Sequence, residues 1–241
     1  MKAMILAAGL ATRLKPLTDH IPKALVRFNT VPLLHRVVNN IFDAGIEAIV
    51  VNVHHFPDQV INFLQEQKYY GGRVVISDEK EQLMDTGGAI IHAAWFLNDG
   101  NPFLVHNVDV YTNLNIKKLI DYHLKGNGLA TIAVKDRPTS RSLLFDDQLQ
   151  LIGWKHNETG EEIHLKDKQQ VAYAYGNSCV QVIQPEFFKL VNLEGPFSLT
   201  ESYLDLARDH TIRGFEHNDD YWFDLGRYEN FNNAESFFTP H

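Results

Sequence analysis

The run Leu6-Ala7-Ala8-Gly9-Leu10-Ala11-Thr12-Arg13-Leu14 joins a short apolar stretch to Pro16. Small side chains there let the backbone approach a ligand closely and point successive N–H groups at an anion. Between residues 1 and 27 stand Lys2, Arg13, Lys15, Lys23 and Arg27 against the single acid Asp19, in a chain whose net charge is −8. A polyanionic ligand is the implication. The loop lacks the Gly-Lys-Ser/Thr ending of a Walker-type phosphate loop, and the Rossmann glycine pattern is missing as well. Far downstream, Asp109 closes an apolar run and Asp224 lies in Trp222-Phe223-Asp224-Leu225-Gly226. Two carboxylates brought to one sheet edge can hold Mg²⁺ beside phosphate oxygens. The small-residue segment Asp85-Thr86-Gly87-Gly88 adds another place for close backbone approach.

Other conspicuous residues read as structural. His54 and His55 cannot point the same way on an extended segment, and no partner has metal-ligand spacing, so zinc is not expected. His106, His156 and His217 have no placed partner. Cys179 is the one cysteine, so no intrachain disulfide forms and it reads as a small buried hydrophobe. The aromatics Tyr221, Trp222, Phe223, Tyr228 and Phe231 read mostly as core.

The elements that must position these residues alternate in the first half between short apolar runs and amphipathic segments, the pattern of βα units. Strands are predicted at Lys2–Leu6, Ala48–Val53, Arg73–Ile76 and Phe103–Val108, and helices at Leu33–Ala44, Pro57–Gln67 and Gly87–Leu97. Gly45 reads as a helix C-cap. Asp109 then falls at the C-terminal end of a strand, where ligands gather in open parallel sheets. After Leu114 the texture changes to a helix around Ile116–His123, a strand Ala130–Val134 and a hairpin of Leu143–Phe145 with Gln150–Trp154. Residues 156–170 read as an exposed loop, followed by two strands, Val171–Tyr175 and Ser178–Ile183. Helices are predicted from Pro185 and over Leu199–Ala207, with no capping box formed by Thr200 and Tyr203. Tyr221–Leu225 and a last helix Tyr228–Phe237 complete the reading.

The 241 residues contain 44% hydrophobic and 22% charged side chains, which excludes disorder and a membrane-embedded body. With 22 basic against 30 acidic residues, bulk-charge binding to nucleic acid or an anionic membrane is not expected. Met1, Lys2 and Ala3–Ala11 imitate the start of a secretory signal, but Arg13, Lys15 and Pro16 interrupt it. No apolar run reaches bilayer length. The expectation is a cytoplasmic protein, with nothing to decide between monomer and dimer.

Taken in order, these motifs resemble the sugar-1-phosphate nucleotidyltransferases. That family carries Leu-Ala-Ala-Gly-x-Gly-Thr-Arg-Leu-x-Pro-Leu-Thr followed by Pro-Lys, and this chain offers Leu6–Thr18 with Pro22-Lys23. Further matches are Asp85-Thr86-Gly87-Gly88, Asn107-Val108-Asp109, Lys155, Tyr175-Gly176-Asn177, and Trp222–Gly226 with Glu229. The short chain and the Asp-Thr-Gly-Gly motif look most like N-acetylmuramate 1-phosphate uridylyltransferases and small mannose-1-phosphate guanylyltransferases. The resemblance implies a Rossmann-like, mostly parallel α/β sheet flanked by helices (the GT-A-like nucleotidyltransferase fold) with a β-rich sugar-binding subdomain. Residues 1–113 would form the nucleotide-binding half and 114–241 the sugar-phosphate half of one domain.

By the same resemblance, the protein would condense an NTP with a sugar 1-phosphate, giving an NDP-sugar and pyrophosphate, with Mg²⁺ as cofactor. Leu6, Ala7, Ala8 and Gly9 would bind the nucleotide through backbone groups, with Glu79, Thr86, Gly87 and Gly88 facing base and ribose. Arg13 would hold the departing phosphates and Lys23 the α-phosphate. Asn107, Lys155, Gly176 and Asn177 would serve the sugar phosphate, and Asp109 and Asp224 the metal. Three departures from the family pattern bear on this. Ala11 stands where glycine is usual, Val108 could narrow the ribose or sugar site, and Trp154 precedes Lys155 where glutamate is frequent. The alternatives are a metal-dependent glycosyltransferase, which usually has an Asp-x-Asp that Asn107-Val108-Asp109 lacks, and a catalytically silent nucleotide-binding regulator.

Overall fold

The computed structural model describes residues 1–166 and 170–238. Strand β1 (Lys2–Leu6) leads into the opening loop, which contains one 3-10 turn at Thr12–Leu14 and is followed by another at Lys23–Leu25. A small ribbon, β2 (Arg27–Phe28) with β3 (Val31–Pro32), hands the chain to α1 (Leu33–Asp43). Then come β4 (Ala48–Val53), α2 (Pro57–Glu66), the short α3 (Tyr69–Gly72), β5 (Val74–Asp78), α4 (Asp85–His92), α5 (Ala94–Leu97) and β6 (Phe103–Asn107). Gly45 takes φ 89°, as its C-capping role requires.

The second half runs β7 (Val110–Thr112), α6 (Ile116–Lys125), β8 (Ala130–Lys135), β9 (Arg141–Phe145), β10 (Leu151–His156) and β11 (Glu162–His164). It continues with β12 (Tyr173–Ile183), α7 (Phe187–Leu190), α8 (Leu199–Leu206), β13 (Ile212–Glu216), β14 (Trp222–Asp224) and α9 (Tyr228–Phe238). A ten-stranded sheet passes through both halves along the path β11-β10-β9-β12-β6-β1-β4-β5, with β8 and β13 branching from β12. Among its described strands β10 and β12 run against the rest, so the sheet is mixed and mostly parallel in direction.

Side-chain alternation assigns the core. Along β1, Ala3 and Ile5 enter a cluster with Leu34, Val38, Ile41 and Phe28, whereas Met4 and Leu6 enter another with Ile90, Phe103 and Tyr203. A sheet buried on both faces therefore needs the near-continuous apolar strands seen in the first half. No helix among the described residues is long and apolar enough to cross a membrane.

Several sequence expectations need correction. The loop expected over 156–170 contains β11, which pairs with β10 through Gly153↔His164; residues 167–169 of that stretch lie outside the described residues. A Cβ at Gly153 would collide with the Ile163 carbonyl, so that glycine admits a polar edge strand that periodicity does not reveal. The two strands expected between 171 and 183 are one strand, β12, whose register shifts between Asn177 and Gln181. Asn177 Oδ1 accepts from the Cys179 N–H at 2.7 Å, holding the bulge, and Cys179 takes φ 58°. Strands β7 and β13 were not expected. A capping box does open α8, formed by Ser198 and Glu201, two residues ahead of the pair considered. Val108 is fully buried in the first core cluster, which also contains Leu225, so its side chain is spent on packing.

Candidate functional site

Asp109 and Asp224 are brought together by the ribbon of β7 and β14, whose antiparallel register sets Val110 opposite Asp224. The Leu225 N–H donates to the Asp109 carbonyl at 2.8 Å and fixes the ends of both strands. Gly226 completes the cradle: a Cβ there would collide with Asp109 Oδ2 and lie 2.8 Å from Asp224 Oδ1. The Gly226 N–H instead donates to Asp224 Oδ1 at 2.9 Å.

Lys23 reaches the same point from the opening segment, its Nζ 2.7 Å from Asp109 Oδ2. Burial pushes the Asp109 carboxyl up, but the Lys23 ammonium, helped by Arg13, outweighs it and holds the group below the usual carboxylate range. Asp224 ends above that range, because burial and the negative charge of Asp109 together exceed what the Gly226 N–H, Lys23 and Arg13 give back. Two adjacent buried carboxylates with opposite displacements form one electrostatic unit short of positive charge. Their hard oxygen donors suit Mg²⁺, which takes few protein carboxylates and fills its octahedron with phosphate oxygens and water. Among the described residues no group of three or more His, Cys, Asp and Glu side chains could hold a metal, so the remaining ligands would have to come from outside the chain.

The small-residue loop lies over this unit. A Cβ on exposed Gly9 would sit 3.7 Å from Lys23 Nζ. Leu6, Ala7 and Ala8 are buried beneath it. Thr18 Oγ1 donates to the Ala11 carbonyl at 2.9 Å and closes the loop on itself. Ala11 adopts φ 53° and ψ 32°, the left-handed conformation expected of a glycine, which an L-residue reaches at a cost of roughly 1–2 kcal/mol. Arg13 is exposed at the loop's 3-10 turn, near enough to act electrostatically on both aspartates.

Glu79 is turned into the fold. It is 2% exposed, and its oxygens accept from Asn52 Nδ2 at 2.8 Å and the Met84 N–H at 3.2 Å. Asn52 Oδ1 in turn accepts from the Ala7 N–H at 2.6 Å. This buried relay braces the opening loop from below. Burial pushes the Glu79 carboxyl up despite those bonds. The Thr86-Gly87-Gly88 turn is likewise engaged by its own chain. Gly87 and Gly88 donate to the Phe197 carbonyl at 2.9 and 3.3 Å, and Thr86 Oγ1 accepts from the Leu199 N–H at 2.9 Å. A Cβ at Gly87 would strike the Phe197 ring, so this glycine answers first to packing against the segment before α8.

On the sugar-side expectation the residues divide. Gly176 pairs with Lys135 and Asn177 with Val134 at the bulge of β12, whose neighbour on the other side is β6, ending in Asn107. Lys155 lies on β10, its Nζ 3.0 Å from Glu162 Oε1 on β11. Trp154 packs half-buried against the second core cluster. Two residues given no site role in the sequence, Cys179 and Arg137, stand near the carboxylates, and His217 lies beside Arg137. Cys179 has its thiol pushed up to about 12 by burial and then by Asp109 and Asp224. Arg137 stacks 3.8 Å over the Trp222 ring. His217 meets Ser178 Oγ at 2.7 Å behind β12. None belongs to a motif, and of the three only Cys179 lies on the bulged strand itself.

Between the loop and the carboxylate pair, cations and hard oxygen donors face each other across one point. The chain belongs to the Nucleotidyl transferase family, whose profile matches residues 2–143. Mannose-1-phosphate guanyltransferase of Yarrowia lipolytica is 27% identical over 236 residues, covering 96% of this chain and 62% of that protein. N-acetylmuramate alpha-1-phosphate uridylyltransferase of Caulobacter vibrioides is 46% identical over 109 residues, 44% of this chain and 45% of that one. The crystal structure of HddC from Yersinia pseudotuberculosis shares the fold, with a TM-score of 0.77 at 24% identity over 99% of each chain. The chain thus spans about 62–63% of the length of the guanyltransferases it matches.

Proposed function

We propose that the protein transfers a nucleotidyl group from an NTP to a sugar 1-phosphate. An oxygen of the sugar phosphate attacks the α-phosphorus in line. A new P–O bond forms there, the bond to the β-phosphate oxygen breaks, and pyrophosphate leaves with the electron pair. No protein nucleophile is needed, since positioning and charge neutralisation suffice for such a transfer. The observation that carries this reading is Lys23 at 2.7 Å from Asp109, beneath Gly9 and beside Asp224.

In this reading the backbone of Leu6–Gly9 seats the nucleotide, and Asn52 and Glu79 hold that backbone in place. Lys23 neutralises the α-phosphate, exchanging part of its contact with Asp109 for the phosphate oxygen. Arg13, at the exposed turn, takes the β and γ phosphates. Asp109 and Asp224 would hold Mg²⁺, which when bound screens the phosphate charges and supplies a Lewis acid. Gly176 and Asn177 face the sugar. The names of the relatives support GTP with mannose 1-phosphate or UTP with N-acetylmuramate 1-phosphate as substrate pairs, and a cytoplasmic location suits both.

A matrix of NTPs and dTTP against sugar 1-phosphates in Mg²⁺, read by pyrophosphate release, tests the proposal. Release that requires one nucleotide and one sugar phosphate together is expected. No release with any pair, or release from NTP alone, overturns it.

A further inference from the structure

Arg137 lies between β8 and β9, outside every motif read from the sequence. Its guanidinium is clamped on several sides. One face lies 3.8 Å over the Trp222 ring, and Nη2 donates to the Asn177 carbonyl at 2.8 Å. The same group covers Gly176, where a Cβ would lie 2.9 Å from Cζ and 3.0 Å from Nε. Trp222 is itself fixed, its Nε1 donating to the Ser178 carbonyl at 3.0 Å, and it opens the strand that ends in Asp224. A planar cation is therefore locked between the bulge of β12 and the strand bearing one of the two carboxylates.

The clamp leaves one buried nitrogen without an acceptor. Arg137 Nε is buried and has no hydrogen-bond partner among the described residues. A charged donor left unpaired in a buried place is costly, and the fork of a guanidinium matches a phosphate better than any neutral acceptor. Asp224 is close enough to act electrostatically on this guanidinium, so an anion bound there stands beside the carboxylate pair rather than remote from it. Lys155, the cation that family resemblance assigns to the sugar phosphate, lies on β10 in an ion pair with Glu162 of β11 at 3.0 Å.

We infer that Arg137 binds the phosphate of the sugar 1-phosphate, presenting its attacking oxygen between Gly176 and Asp224. This rests on the proposed nucleotidyl transfer. Trp222 fixes the plane of the guanidinium, and the missing side chain of Gly176 is what lets the guanidinium lie there.

The test is equilibrium binding of mannose 1-phosphate and N-acetylmuramate 1-phosphate by calorimetry, with turnover measured alongside, for wild type, Arg137→Lys, Arg137→Gln and Lys155→Gln. Arg137→Gln should weaken the better-bound sugar phosphate at least tenfold while NTP affinity moves less than twofold. Arg137→Lys should recover part of the loss, since a point charge replaces the fork. Lys155→Gln should weaken it less than Arg137→Gln does. Equal losses for both substrates, an unchanged sugar-phosphate affinity, or a larger effect at Lys155 overturns the assignment and leaves Arg137 a structural clamp. Should Arg137→Gln fail to fold, Arg137→Lys decides alone, because its sugar-phosphate affinity must fall while NTP affinity holds. A wild type that binds sugar phosphate at Arg137 yet releases no pyrophosphate would sink the transfer reaction alone; a wild type that turns over but ignores Arg137→Gln would sink this inference alone.

Discussion

Replacing Lys23 with methionine keeps the volume of the side chain and removes the charge 2.7 Å from Asp109 Oδ2. The two side chains are only 14% and 10% exposed, so water cannot substitute for the lost ammonium. Breaking a buried pair from one side typically costs about 3–5 kcal/mol, because the surviving charge stays buried. Here that charge also faces Asp224, whose carboxyl already lies above its ordinary range through burial and Asp109. In wild type Asp109 is held low, so its contribution is present above the unfolded carboxylate pKa and fades as pH falls through the folded value. In Lys23→Met burial and the mutual repulsion with Asp224 are opposed only by the more distant Arg13 and backbone N–H groups, and the pair's pKa is expected to rise above that of the unfolded chain. The variant's carboxylates then favour the folded state at low pH and penalise it as pH rises. Urea unfolding in EDTA should therefore show a deficit near 3 kcal/mol at pH 7 that shrinks by more than about 1 kcal/mol at pH 5, given about 1.4 kcal/mol per pH unit for each proton taken up. Millimolar Mg²⁺ should restore stability more in the variant than in wild type. A deficit under about 1 kcal/mol at pH 7, or one equal at both pH values, refutes the reasoning.

Asp109→Asn and Asp224→Asn should each lower kcat by two or more orders of magnitude, and the double variant should lose far less than the product, since groups acting as a unit are non-additive; steady-state kinetics with unchanged circular dichroism checks this. Asn52→Ala strands the Ala7 N–H and one Glu79 oxygen in the core. It should cost about 2–4 kcal/mol, measured by urea unfolding. The loss should be larger at pH 7 than at pH 5, because the Glu79 carboxyl, raised further, is penalised as pH rises. Ala11→Gly relieves the left-handed conformation but loosens the unfolded chain, so a net gain of up to about 1 kcal/mol in thermal unfolding is expected.

The first half was legible because its strands and helices announce themselves by period: α1 buries Leu34, Val37, Val38 and Ile41, the positions its spacing singles out. The two aspartates stood out by charge in an apolar setting, whereas Lys23, one cation of five in its segment, was singled out only by the resemblance of Pro22-Lys23 to the family motif. What sequence could not carry was contact between distant segments. Nothing local tells that Glu79 spends its carboxylate on Asn52 and Met84, or that the glycines of Asp85-Thr86-Gly87-Gly88 make room for Phe197 and Gly195. Strand β11 has the composition of a loop and exists because Gly153 admits it. Arg137 looked like any charged residue before a proline. Its setting depends on a register shift in β12, and a one-residue change of register is invisible to periodicity.

The ribbon that joins Val110 to Asp224 has a bearing on how the protein is made. A chain emerging from the ribosome has the opening loop, Lys23 and Asp109 early, yet β12 has not arrived to cover the edge of β6, and the partner of Asp109 lies more than a hundred residues behind it. Until Leu225 reaches the Asp109 carbonyl, a nascent chain holds a cationic loop and one carboxylate, but no pair to receive a divalent ion. On the proposed reading the carboxylate pair would form only once the segment Trp222–Gly226 has been made, so a chain cut short of it would carry Asp109 without its partner.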